Sequence, residues 1–131
     1  MRHTFDVVVR WSDEDRLGHI NNSRYLTYTE DARLSWLRDS PHGNGGVILA
    51  RAEVDFRRPV HFVAGGHLAV HSSVRSVGTS SLRMRQDIVD DEAEVVAAVE
   101  SVVVGYDYAR KRSRPWTEYE RAWLAQWTAT G

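Results

Sequence analysis

Polar and apolar positions alternate along most of the chain, and one stretch of helical spacing interrupts them. In TFDVVVRW, Phe5, Val7, Val9 and Trp11 share one face and Asp6, Val8 and Arg10 the other. That period of two predicts a first strand ending near Ser12. From Ser23 to about Asp39 the spacing changes: Tyr25, Thr29, Ala32 and Trp36 recur at helical intervals, flanked by Leu26, Tyr28 and Leu37, with no internal Gly or Pro. This predicts a helix of about four turns, with Asn22 as cap and SPHGNGG as its end. Alternation then returns in VILARAEVDF, which sets Ile48, Ala50, Ala52, Val54 and Phe56 against Arg51, Glu53 and Asp55 until Pro59 stops it. HLAVHSSVRSV, SLRMRQDIV after a turn at Gly78, and EVVAAVESVVVGYDY after Asp90-Asp91 read as three more strands. The last is apolar on both faces over much of its length, which suits a central strand. PWTEYERAWLAQW spaces Trp116, Tyr119 or Glu120, Trp123 and Trp127 as a short closing helix.

Strand, helix, then four consecutive strands predicts an α+β architecture, with one long central helix facing a five-stranded, mostly antiparallel curved sheet and a short C-terminal helix. No repeat or linker divides the chain, so residues 1–131 are expected to form one domain. One helix cannot cover a sheet of that size along both edges. Pairing of two copies through a strand edge would cover what remains.

The chain has 131 residues, 42% of them hydrophobic, with 17 basic against 18 acidic side chains. Near-balanced charge argues against a nucleic-acid partner gripped by bulk electrostatics. There is no cysteine, which excludes disulfides, thiolate zinc sites and a cysteine nucleophile. The N-terminal MRHTFDVVVRW lacks the apolar run of a signal peptide and no segment reaches the length of a membrane span, so a soluble cytoplasmic protein is expected. Without a secretory signal, the Asn21-Asn22-Ser23 glycosylation pattern carries no meaning.

The densest chemistry lies in DEDRLGHINN, residues 13–22, between the first strand and the helix. The loop leads into a helix N-terminus, whose first N–H groups have no acceptor within the helix. Those donors can polarise a carbonyl, and a nearby carboxylate supplies a base or nucleophile. Together they are a minimal site for adding water to an acyl carbon. Calcium is excluded: DEDRLG opens like an EF-hand loop, but Leu17 and Arg24 stand where ligands are required. Asp13, Asp15 and His19 lack a further group to complete a set for another divalent ion. No metal or cofactor is expected.

At these residues VRWSDEDRLGHINNSRYLTYTEDAR resembles the opening motif of hot-dog-fold acyl-CoA thioesterases, in the branch that contains 4-hydroxybenzoyl-CoA thioesterase. The similarity continues through VDFRRPVHFVAGGHLAVHSSVRSVGTSSL and VVAAVESVVVGYD, from about residue 4 to 115. The resemblance implies a sheet wrapped around one helix, dimerisation edge to edge and sites at the dimer interface. It puts the catalytic carboxylate on Asp15, a loop-shaping acid on Asp13 and the carbonyl-polarising backbone N–H on Asn22. Gly18 matches the glycine that lets the loop approach the thioester, and His19 with Asn21 matches the G-H-x-N-N form of this branch. Tyr25, Glu30 and Arg33 match helix positions packed beneath the sheet. Where the benzoyl-type enzymes carry a basic cluster, this chain has SVGTSS, residues 76–81, so the carrier must be held otherwise. Arg75 or Arg83, with Thr79 and Ser80 in the hairpin, or the later ARKRSR run, is a substitute grip, and a protein-bound pantetheine is an alternative carrier.

Several of these residues also have plainer readings. Asp15 can cap a turn. His19 can donate to the thioester, order water or satisfy loop carbonyls. Glu30 and Arg33 suit an i, i+3 ion pair, and Arg110, Lys111, Arg112 and Arg114 suit a solvated loop. The reading that results is an acyl-CoA thioesterase, homodimeric or a dimer of dimers, with no nucleic-acid or membrane partner. Its substrate-binding set is Gly18, Asn21, Tyr25, Arg75, Thr79 and Ser80, and Trp36, Tyr28 and Phe56 are candidate walls of the acyl tunnel. The alternatives are a non-catalytic acyl-thioester binder and a thioesterase for carrier-protein substrates. A hydratase or dehydratase is disfavoured, because the paired acid and histidine motif of those hot-dog branches is missing.

Overall fold

The computed structural model describes residues 1–43, 46–61, 63 and 65–128. Six strands and two α-helices follow one another as β1 (His3–Val8), α1 (Asn22–Leu37), β2 (Val47–Phe56), β3 (His67–Val77), β4 (Ser81–Val89), β5 (Val95–Asp107), β6 (Arg112–Ser113) and α2 (Glu118–Ala125). The sheet order is β1-β3-β4-β5-β2, every neighbour antiparallel, with β6 added to β5 as a sixth, two-residue strand that the alternation did not reveal. No helix among the described residues is long and apolar enough to cross a membrane.

Helix α1 lies against the inner face of this sheet. Tyr25, Tyr28, Thr29, Ala32 and Trp36 are buried at the predicted spacing, and they meet Leu68, Val70, Val74, Met84, Ile88 and Val103, the inward side chains of β3, β4 and β5. Gln86 adds a polar tie across this layer, its side-chain amide donating to the Thr29 carbonyl at 3.0 Å and to Ser72 Oγ at 3.1 Å.

Three local departures from the expected pattern have physical causes. The first strand stops at Val8, because Asp13 accepts the Arg10 N–H and a 3₁₀ turn, Trp11–Asp13, follows. Trp11, expected inward, is therefore exposed. In β2 the register slips between Leu49 and Arg51, opposite Val103 and Val102. This bulge moves Ile48 to the outer face and turns Leu49, with Ala52, Val54 and Phe56, to the inner one. The helix cap is Asn21 rather than Asn22: its Oδ1 accepts the Ser23 N–H at 3.0 Å.

The far end of the sheet is closed by α2. Trp123 and Trp127 pack on Trp36 with ring centroids 4.9 and 6.0 Å apart, and Glu120 receives both guanidinium nitrogens of Arg114, at 2.8 and 3.0 Å, and the Thr117 N–H at 2.9 Å. Burial alone would push the Glu120 carboxyl up, but the hydrogen bonds and charge of Arg114 and the Thr117 N–H outweigh it and hold it below the ordinary carboxylate value. A depressed folded value means stability that is present above the unfolded value of 4.5 and lost as pH falls through the folded one. Acidification is thus expected to loosen α2, read as a change in tryptophan emission below about pH 4. Glu120→Gln should remove that transition at a cost of about 2 kcal/mol at neutral pH, measured by denaturant melting.

Candidate active site

The loop before α1 is a miniature hairpin. Glu14 and Ile20 bridge its base, the Asp15 N–H donates to the His19 carbonyl at 2.7 Å, and the Gly18 N–H donates to the Asp15 carbonyl at 3.3 Å. Gly18 sits at φ +79°, a left-handed conformation that glycine reaches without a Cβ clash. Two further bonds anchor the hairpin: Ile20 N–H to the Val60 carbonyl at 2.7 Å and Asn21 N–H to the Asp13 carbonyl at 2.8 Å. His19 also bridges to His61, their rings edge to face at 4.5 Å.

Asp13 and Asp15 have different surroundings. Asp13 is fully buried, its Oδ2 accepting the Tyr28 hydroxyl at 2.8 Å and the Arg10 N–H at 3.0 Å. Arg10 and Arg24 approach its Oδ1 at 3.8 and 3.7 Å. Burial first, then the bond to Asp13, pushes the Tyr28 phenol well above its ordinary value. Asp15 is half-buried. Its Oδ1 accepts the N–H groups of Leu17 at 2.8 Å and His19 at 3.1 Å, and no partner for Oδ2 is found among the described residues.

Asp15, His19, Asn21 and Asn22 line one open cleft of about 470 Å³. In the first turn of α1 the Ser23 amide is capped by Asn21 and the Arg24 amide bonds back to the Asn21 carbonyl at 2.9 Å. The Asn22 N–H has no partner among the described residues. A carboxylate residue and a helix-terminal residue therefore line one open space, and a carboxylate with a helix-terminal donor is the pairing that addition to an acyl carbon requires.

The cleft also holds Phe56, Arg57, Arg58 and Pro59, from the end of β2. The pattern of the sequence alone assigns this RRP stretch no role in the site. Its signal was two adjacent cations just before the proline that ends a strand. Arg57 lies 3.3 Å from Asp55 and Arg58 pairs with Asp90. Arg58 also borders an adjoining cleft of about 320 Å³ that His61, His67 and Asp90 help to line.

The other expected residues lie elsewhere. Tyr25 is buried behind the cleft, its ring 5.7 Å from Phe56, and its hydroxyl has no partner among the described residues. Burial raises its phenol, against the opposing charge of Arg58. Gly18 shapes the turn and does not line the cleft. Arg75, Thr79 and Ser80 occupy the opposite end of the same sheet. Arg75 donates to Glu100 at 3.2 Å, and the Thr79 and Ser80 carbonyls accept the amides of Trp116 and Gly105. Of the three candidate tunnel walls only Phe56 lines the cleft, since Tyr28 and Trp36 are buried in the core. Glu30 and Arg33 do not close as an ion pair among the described residues, and burial lowers the Arg33 pKa against the raising charge of Glu30. No three His, Asp or Glu side chains among the described residues are grouped to hold a metal ion.

The family model of the thioesterase-like superfamily matches residues 9–127, and the chain belongs to that superfamily. Its fold is the hot-dog fold, one helix wrapped by a curved antiparallel sheet. It is similar to a thioesterase of Thermus thermophilus whose crystal structure holds coenzyme A and Zn, with 34% identity, 92% of this chain and 95% of that one covered and a TM-score of 0.81. A predicted thioesterase from Bacillus stearothermophilus superposes over 100% of this chain and 99% of its own with a TM-score of 0.88 at 23% identity, a likeness of fold. YsmA, an uncharacterised protein of Bacillus subtilis (strain 168), is 27% identical over 124 residues, covering 90% of this chain and 82% of YsmA.

Proposed function

We propose that the protein hydrolyses an acyl-CoA thioester to the free acid and the thiol. The observation that carries this reading is that Asp15 and Asn22, whose N–H has no partner among the described residues, both line the same cleft. The thioester carbonyl accepts a hydrogen bond from the Asn22 N–H, and such a donor is worth about 3 to 4 kcal/mol to the oxyanion that forms as the carbon is attacked. Asp15 either takes the proton of an attacking water or attacks the carbon itself, giving a mixed anhydride that water then opens. In both routes the thiolate leaves and is protonated by solvent. The bound coenzyme A of the Thermus relative supports the choice of carrier.

The working unit in this reading is a homodimer joined through β2. That strand ends the sheet, with no strand beyond it among the described residues, and Leu49 and Phe56 on its inner face, with Leu26 of α1, are exposed in the single chain. Pairing of two β2 edges would satisfy the edge amides and cover these side chains. Thiol release from short, long and aromatic acyl-CoAs tests the activity. Turnover of at least one class is expected, and a panel with no turnover would leave binding without hydrolysis as the reading.

A further inference from the structure

The buried stripe of α1 has two edges. On one, Tyr28 bonds to Asp13 of the loop after β1, and Ala32 belongs to the core cluster that holds Val7 of that strand. On the other, Leu26, Glu30, Arg33 and Leu37 recur at intervals of three or four residues. With β1 at one side of the sheet and β2 at the other, this second edge faces β5 and β2. Leu26 and Glu30 there are exposed, whereas Arg33 is buried. An arginine keeps its proton when buried. A full charge has therefore left water, which is costly unless an anion meets it. No hydrogen bond or ion pair of Arg33 is found among the described residues, and Glu30, one turn away, does not close on it.

The register sets a second unspent donor at the same level. Ile88 of β4 shares a core cluster with Tyr25 and Tyr28, Gln86 donates to the Thr29 carbonyl, and Met84 shares a cluster with Trp36. β4 therefore runs antiparallel to α1 beneath it, and Arg33, one turn beyond Thr29, stands at the level of Met84. The neighbour of Met84 on β5 is Ser101, buried on the inner face with its hydroxyl unpartnered among the described residues. Next in the row, on β2, is Ala52, exposed and too small to fill the space. A guanidinium and a hydroxyl thus flank the groove between α1 and β2, which Leu26, Leu49 and Phe56 border. At its Phe56 end the groove meets the cleft. Phe56 pairs with Ala97 and Ala52 with Ser101, so four residues, about 13 Å of strand, separate the cleft from these two groups.

We propose that Arg33, with Ser101, reads a carboxylate at the far end of the acyl group, so that the substrate is the half-thioester of a straight-chain dicarboxylic acid. This rests on the acyl-CoA hydrolase reading above. With the thioester carbonyl at the Asn22 N–H, the acyl chain runs from the cleft along the groove, which pairing through β2 would roof. An extended chain advances about 3.5 Å in three bonds, and the arginine side chain leans towards the helix N-terminus. About eight to eleven bonds then span the distance. Guanidinium and carboxylate match as a two-pronged, charge-assisted pair. A plain alkyl chain of the same length would bury the cation against methylene groups.

The test compares thiol release from coenzyme A half-thioesters of dicarboxylic acids of about six to twelve carbons with release from plain acyl-CoAs of equal length. At one length or more, the wild type should prefer the carboxylated substrate by about tenfold or more in kcat/KM. Arg33→Gln should abolish that preference and Arg33→Lys should keep part of it. The wild-type ratio needs no variant, so a misfolded Arg33→Gln leaves the test standing. A wild-type ratio near one at every length, or a preference that survives Arg33→Gln, would overturn the proposal. A ratio near one, with Arg33→Gln and Glu30→Gln each weakening self-association in sedimentation, would overturn it by giving Arg33 to Glu30 of the partner subunit. If no thioester of either kind releases thiol, the hydrolytic reading fails and calorimetry with the free dicarboxylic acids decides the rest. Binding that weakens about tenfold or more in Arg33→Gln keeps the carboxylate site, and no binding overturns it.

Discussion

Asp15→Asn is expected to lower kcat/KM for acyl-CoA by about 10²- to 10⁴-fold, the range that a positioned acid or base supplies, while melting temperature stays within a few degrees of wild type. The substitution suits this site because of what Oδ1 does. In the wild-type loop that atom accepts the amides of Leu17 and His19, and an asparagine Oδ1 can accept both again. Only Oδ2 is replaced, by an NH₂ that can neither take a proton from water nor attack a carbonyl. Asp15→Ala would also remove two loop hydrogen bonds, at about 0.5 to 1.5 kcal/mol each, and would confuse a lost catalyst with a displaced loop. Thiol release and thermal melting on the same Asp15→Asn preparation check the expectation. Full activity would make Asp15 a turn-forming residue and move the chemistry to another group of the cleft.

What the sequence made legible follows from which interactions are local. The period of two in β3 to β5 and the helical spacing of α1 survive in the structure because side-chain direction along a strand or helix follows from chain geometry alone. Long-range contacts set what was misread. Trp11 continued an alternation that the Asp13 side chain, three residues beyond Arg10, had already ended. Ile48 and Leu49 exchanged faces at a bulge for which an alanine gives no warning. Asn21 and Asn22 are chemically equal candidates for the cap, and the bond from Asn21 N–H to the Asp13 carbonyl decides between them. The loop chemistry was visible as a polar cluster at a helix entrance. Arg57 and Arg58 were not, since their place in the cleft depends on how the β2–β3 connection folds back on His19 and Ile20. Arg75, Thr79 and Ser80 were placed by resemblance alone; within one chain they lie at the other end of the sheet from the cleft, which leaves their part in a site built by two chains to experiment.

Asp13→Ala should behave in the opposite way to Asp15→Asn, lowering stability first and activity as a consequence. Asp13 is fully buried, and its carboxylate takes the Tyr28 hydroxyl and the Arg10 amide. Removing it leaves a buried phenol without a partner, frees the 3₁₀ turn and opens a cavity. Those losses add to about 3 to 5 kcal/mol, or roughly 10 to 15 °C in melting temperature for a chain of this size. Tyr28→Phe should cost less, about 1 kcal/mol, because Asp13 keeps the Arg10 amide. The double variant should cost less than the sum of the two, since each removes the same hydrogen bond. The pair also predicts a response to alkali. Burial and the Asp13 bond raise the folded phenol above its ordinary value of 10, so this stabilisation is complete below that value and is lost as pH rises from it towards the folded one. Wild type should therefore lose stability above about pH 10, and Tyr28→Phe should lose less over the same interval. Denaturant melts at about pH 7 and about pH 11 across the four proteins read both effects. Additive costs would mean that Asp13 and Tyr28 stabilise the loop independently, with Asp13 acting through the Arg10 amide and the nearby arginines instead of anchoring the loop to α1.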